Sequence, residues 1–170
     1  MNIVKIRLTP LIVFPRSVFL LLSGRMQFPK DRIGKVITLE NGQKYTVFRE
    51  GMLKPKSNQP EKPDGVFRVW FHTRMSPKKT ILLSRLTLFG FLGLPGFRSK
   101  LWLYDETSGD LGGIYEWDTV QDADNYDKSY AMKFSKWRSV SGKFKTEVFP
   151  ESDTRSLVHL ELRSEKHIKK

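Results

Sequence analysis

Between Phe97 and Trp117 the chain reads FRSKLWLYDETSGDLGGIYEW, two alternating runs joined by a polar turn through Glu106 to Asp110. This stretch limits the possible fold more than any other. Paired antiparallel with Tyr104 opposite Leu111, its side chains sort onto two faces, because successive strand residues point to opposite sides. One face collects Leu101, Leu103 and Ile114, and the other collects Lys100, Trp102, Tyr104, Tyr115 and Trp117. VFRVWFHTR (66 to 74) is a strand by its β-branched and aromatic content. Carrying the parity over adds Phe67, Val69 and Phe71 to the first face and Arg68, Trp70 and His72 to the second. The aliphatic face is then expected to pack on helices. The mixed aromatic and polar face is too apolar for water and is expected to close against a second copy of the chain. The expected assembly is a homodimer whose barrel interior is lined by Trp, Tyr, Arg, His and Lys.

The helices that such a sheet needs are visible. Ser76-Pro77 opens one, as a cap followed by a residue that needs no N–H, and it should run to about Phe89. A second starts at Asp118-Thr119 and carries Ala123, Tyr126, Tyr130, Phe134 and Trp137 at steps of three and four before Ser141-Gly142 ends it. KFKTEVFP (143 to 150) is a further strand, and SLVHLELR (156 to 163) a candidate fifth. The order strand, helix, strand, strand, helix, strand predicts an α+β, ferredoxin-like (split βαβ) antiparallel sheet with two helices on one face, pairing as a dimeric α/β barrel. Asn41-Gly42 marks an additional hairpin over 34 to 50. The expected organisation is an arm over 1 to 33, an accessory hairpin and linker over 34 to 65, the core domain over 66 to 151, and a strand with a basic tail over 152 to 170.

The chain has 170 residues and a net charge of +12. Residues 1 to 62 carry 12 basic and 4 acidic groups, and residues 63 to 100 carry 7 and 1, whereas 101 to 118 carry 5 acidic groups and no basic one. The excess is scattered through strands and loops with no Arg-rich helix, so nucleic-acid binding rests on charge alone and is disfavoured. LTPLIVFPRSVFLLLSG (8 to 24) resembles a signal or anchor but is broken by Pro10, Pro15 and Arg16, and TILLSRLTLFGFLGLPGF (80 to 97) is interrupted as well. The expected location is the cytoplasm, with a peripheral membrane contact through the N-terminal segment left open. For residues 1 to 25 an anchor, a signal, an arm, or material upstream of a start at Met26 all remain open. Cysteine is absent, which excludes thiolate chemistry, and no HExxH or GxSxG motif supports metal or serine hydrolysis. Asp122, Asp124 and Asp127 lie at a helix start, where they suit the dipole better than a Ca²⁺ loop.

Gly93-Leu94-Pro95-Gly96-Phe97, Lys100-Leu101-Trp102-Leu103, Thr107-Ser108-Gly109 and Gly112-Gly113-Ile114-Tyr115-Glu116-Trp117, followed by a helix bearing Tyr126, resemble the YdhR-like monooxygenases of the dimeric α/β-barrel superfamily. The resemblance covers residues 66 to 150. It implies a dimer and a cavity for a small hydrophobic or aromatic substrate, with haem or no cofactor at all.

The candidate catalytic residues are His72, Lys100 and Arg68, with Trp70, Trp102, Tyr104, Tyr115 and Trp117 as candidate substrate contacts and no metal ligand. His72 suits a proton shuttle or a haem ligand, or is a strand-end surface residue. The aromatic set stacks a substrate or simply packs. Lys100 and Arg68, if buried, need a carboxylate such as Glu116 or Asp118 or an anionic ligand; otherwise they reach the rim. Gly112-Gly113 lacks nucleotide-loop spacing, and a bulge or close backbone approach is favoured over ligand binding. An alternative function is a non-enzymatic module for a small molecule or anionic lipid.

Overall fold

The computed structural model describes residues 10–57, 59–60, 62–153 and 155. Its elements are α1 (Pro10–Leu22), β1 (Met26–Gln27), β2 (Val36–Thr38), β3 (Lys44–Leu53), β4 (Gly65–Phe71), α2 (Pro77–Thr87), β5 (Phe97–Tyr104), β6 (Leu111–Trp117), α3 (Val120–Asp127), α4 (Tyr130–Arg138) and β7 (Phe144–Pro150), with a 3₁₀ turn over Leu88–Gly90. The strands form one seven-stranded sheet in the order β1-β3-β5-β6-β4-β7, with β2 paired to β3, and every pairing is antiparallel. β4-α2-β5-β6-α3/α4-β7 is the ferredoxin-like arrangement, and the helices pack on one face. The candidate strand at 156 to 163 lies outside the described residues.

β5 and β6 pair with Tyr104 opposite Leu111, as their alternation predicts. β4 is displaced by one residue from the expected parity, since Phe67 pairs with Tyr115 and Arg68 with Ile114. Phe67, Val69 and Phe71 therefore join Trp102, Tyr115 and Trp117 in the cluster that also contains Val13, Leu88, Ala123, Tyr126 and Met132 from the helical layer. The aromatic face is the one the helices cover. Leu101, Leu103 and Ile114 lie on the reverse side with Val66 and Trp70, packed with Ile37, Leu39, Tyr45 and Val47 from the β2–β3 hairpin. The reason for seating a second copy on an exposed aromatic face is thereby removed, because both faces carry buried clusters within one chain.

The second predicted helix is two. Thr119 caps α3, its hydroxyl accepting from the Asp122 N–H at 3.1 Å, and Ser129 caps α4. The break resets the helical face. Ala123 and Tyr126 are buried as the stripe predicts, whereas Phe134 and Trp137 are exposed and Met132 and Ser135 turn inward. Ser76 occupies the cap position of α2, but its side chain makes no capping bond.

The two glycines of β6 have separate tasks. A Cβ on Gly112 would enter the Trp70 ring and approach Leu103 Cβ at 3.2 Å. A Cβ on Gly113 would meet Tyr115 Cε2 at 2.8 Å and Lys100 Cε at 3.5 Å. Close approach, not a bulge, explains the pair. Gly112→Ala is expected to cost about 1–3 kcal/mol by overpacking, read by urea denaturation.

Candidate functional site

A cavity of about 340 Å³ lies between the aromatic face of the sheet and helices α1, α2 and α4. Its floor is Lys100 and Trp102 on β5, Tyr115 on β6, and Val69 and Phe71 on β4, with Tyr126 of α3 behind them. Phe91, just after the 3₁₀ turn, organises the wall. Its ring centroid is 6.0 Å from that of Trp102, 5.4 Å from Tyr115 and 6.2 Å from Tyr126, in tilted or edge-on geometry. The β3–β5 register shifts between Val47 and Arg49. A bulge of this kind re-aims neighbouring side chains; Phe48 lines the cavity and the Arg49 guanidinium lies 4.8 Å from the Trp102 ring centroid.

Lys100 is the chemically unusual group. Its side chain is buried, with Nζ 4.4 Å from the Trp102 and Tyr115 ring centroids and 4.6 Å from Phe91. Among the described residues no carboxylate pairs with it, and none of the residues lining the cavity is Asp or Glu. Burial, reinforced by the charges of Arg138 and Arg49, holds its pKa well below the ordinary lysine range. Three ring faces offset part of the desolvation when the amine is charged, each by about 0.5–2 kcal/mol. Tyr115 and Tyr126 lie side by side with centroids 4.9 Å apart, and burial raises both phenols. Both stay protonated near neutral pH and can donate hydrogen bonds.

Of the residues put forward from sequence, the structure brings Lys100, Trp102 and Tyr115 together. Trp117 is on the same face but deeper, packed against Phe97 and Tyr126 away from the cavity lining. Tyr104 packs at the edge of the same cluster. Arg68 and Trp70 lie on the reverse face, because of the one-residue displacement of β4. There Arg68 is bound by Glu40 at 2.9 Å and Glu147 at 2.8 Å, and its hydrogen bond holds the Glu40 carboxyl below the usual range. The carboxylates offered for these cations, Glu116 and Asp118, go elsewhere: Glu116 takes the Ser99 hydroxyl, and Asp118 takes Arg98.

His72 also stands apart. Just beyond the end of β4, it is half-buried with Nδ1 2.8 Å from Asp110 Oδ1. It does not reach the cavity, and no histidine among the described residues lines it. A haem held through His72 therefore does not fit this site. His159 and His167 lie outside the described residues. The sequence reading missed Phe91, Arg138, Phe48 and Thr80 in the lining; a helix-terminal Arg and an unannounced bulge leave no periodic trace.

No family model and no curated protein matches the chain. Among solved structures it is similar to an uncharacterised ferredoxin-fold protein related to antibiotic biosynthesis monooxygenases from Listeria monocytogenes, at 14% identity over 74% of this chain and 90% of that one, TM-score 0.48. It is also similar to a haem-degrading enzyme from the same species, at 14% identity over 74% and 96%, TM-score 0.47. A monooxygenase-like protein from Listeria innocua shares 14% identity over 65% of each chain, TM-score 0.47. These likenesses are too distant to carry a residue's role across.

Proposed function

We propose that the protein is a cofactor-independent monooxygenase acting on a small aromatic substrate in the cavity between sheet and helices. The observation that carries this reading is an amine, Lys100, buried among Phe91, Trp102 and Tyr115 without a counter-ion among the described residues. An amine whose pKa is lowered is a competent general base near neutral pH. In this scheme Lys100 takes a proton from an acidic C–H of a bound aromatic ketone or phenol, and the resulting ammonium stays beside the oxyanion. The electron-rich anion reduces O₂. A methylene carbon gains one oxygen atom as a carbonyl, while its two hydrogens leave with the second oxygen atom as water. The sequence resemblance to YdhR-like monooxygenases agrees with this chemistry.

The test uses 1,8-dihydroxyanthrone, whose methylene is acidic, with O₂ consumption as the readout. Wild type is expected to accelerate its oxidation over buffer, Lys100→Met to lose about 10²-fold or more of that rate, and Trp102→Ala to lose ligand binding. Binding without oxygen uptake would replace the oxygenase with a carrier of the same ligand.

A second reading, a module that docks on anionic lipid, has its own observation. Helices α1, α2 and α4, which border the cavity, carry Arg16, Lys78, Lys79, Arg85, Lys133, Lys136 and Arg138 and no acidic residue. Leu11, Phe19, Leu82, Leu86 and Trp137 are exposed on them. Apolar and purely basic surface together suits a negatively charged interface. No helix among the described residues is long and apolar enough to cross a membrane. Co-sedimentation with phosphatidylglycerol vesicles that weakens with salt is expected on this reading; its absence at low salt would remove it.

A further inference from the structure

We propose that the cavity ligand bears an oxyanion, a carboxylate or an ionised phenol or enol on an aromatic body, seated against Lys100, Arg138 and Trp102. The inference rests on the assignment of this cavity as the ligand site and goes beyond it by fixing the ligand's charge.

Most of the cavity's polar atoms are already satisfied by the protein. The Tyr130 hydroxyl donates to Gly90 O at 2.8 Å, Ser84 Oγ to Ile81 O at 2.6 Å, Thr87 Oγ1 to Ser84 O at 3.1 Å and Ser135 Oγ to Ala131 O at 3.0 Å. The Tyr115 and Tyr126 phenols lie together, each acting on the other's pKa. Three buried atoms have no hydrogen-bond partner among the described residues, Trp102 Nε1, Thr80 Oγ1 and Arg138 Nε, and the Lys100 amine lies against ring faces with no carboxylate paired to it among those residues. Trp102 and Arg138 are donors without acceptor capacity, Thr80 can be either, and Lys100 donates from its ammonium form. Buried polar groups are almost always paired, and an unpaired one calls for an explanation such as a bound water, ion or ligand. Donors of this kind, two of them on basic side chains, call for a negatively charged acceptor.

Charge points the same way. Lys100 and Arg138 line the cavity, and Arg49 sits over the Trp102 ring beside it. The charge of Arg138 acts on Lys100, and that of Arg85 acts on Arg49. Among the described residues no carboxylate lines the cavity to balance them. A low-dielectric site without a counter-charge disfavours a proton on Lys100 beside Arg138, and an entering anion relieves that penalty, favours the ammonium and pairs the unpaired donors. The remaining lining is mostly Phe, Tyr, Val, Leu and Met, with Pro10, Ala131 and glycines, which selects a flat apolar body behind the anionic group. Inorganic phosphate or a sugar phosphate would leave that surface unfilled.

The experiment is isothermal titration of wild type, Lys100→Met, Arg138→Gln and Trp102→Ala with 2-naphthoate, its neutral analogue 2-naphthylmethanol and its cationic analogue 2-naphthylmethylammonium. Melting curves establish that each variant is folded. Wild type is expected to bind 2-naphthoate at least about tenfold more tightly than the alcohol, because a charge-assisted hydrogen bond in a buried site is worth that much. The ammonium should not bind. Lys100→Met and Arg138→Gln should each lose most of the preference for the acid while binding the alcohol within about twofold of wild type. Equal binding of acid and alcohol, or tighter binding of the ammonium, would overturn the oxyanion assignment and leave the cavity reading standing. Binding of none of the three, or unchanged binding by Trp102→Ala, would overturn the cavity reading and the oxyanion with it.

Discussion

Replacing Phe67 with Ala is expected to destabilise the protein by about 3–5 kcal/mol. Phe67 is fully buried, edge-on to Tyr115 at 5.4 Å and to Tyr126 at 5.0 Å, so truncation opens a hole between the sheet and α3. Chemical denaturation measures the loss. A double-mutant cycle with Tyr126→Leu adds the direction. The pair should show coupling of about 0.5–1.5 kcal/mol, the usual worth of an aromatic pair. A cycle between Phe67→Ala and Leu101→Ala should be close to additive, because those side chains stand on opposite faces. Strong coupling to Leu101 with none to Tyr126 would restore the parity in which Phe67, Leu101 and Ile114 share a face.

Lys100→Met is expected to raise stability near neutral pH while slowing oxygen uptake by about 10²-fold or more. Met nearly matches the lysine stem, fills the same space between three rings and carries no charge, so the gain is on the order of 1–4 kcal/mol, as for other buried ionic groups replaced by apolar ones. The pH dependence follows from the lowered pKa of Lys100. Between its folded value and the unfolded lysine value of about 10.4, the unfolded chain binds the proton and the folded one does not. Stability therefore falls as pH is lowered through that window. The difference between variant and wild type should be near zero above the unfolded lysine pKa, grow as pH falls, and level off below the folded value. A variant less stable than wild type across this range would mean that Lys100 has a stabilising partner.

Much of the fold was legible because its signals are local. The β5–β6 register follows from alternation on each side of a short turn, and α2 and the start of α3 follow from Pro77 and Thr119. β4 reads VFRVWF, apolar on both faces because both faces are buried, so alternation cannot set its register against β6. That one-residue ambiguity moved Arg68 and Trp70 out of the site and turned the aromatic face from a presumed interface into the wall of an intrachain cavity. The break before α4 had a mark, Ser129 as a cap, but the continuing stripe through Tyr130, Phe134 and Trp137 masked it. Lys100, Trp102 and Tyr115 were placed on one face from sequence because their parity depends only on the β5–β6 hairpin. Phe91, Arg138 and Phe48 were not, because a 3₁₀ turn, a helix end and a bulge place them.

The central claim is that the ligand site lies within a single chain, between its sheet and its own helices. Native mass spectrometry with 2-naphthylmethanol and 2-naphthoate tests it through stoichiometry, whatever the oligomeric state. One probe per chain, lost in Trp102→Ala and retained in Trp70→Ala, is the expected result. One probe per two chains, lost in Trp70→Ala, would place the site between two sheets and contradict the account.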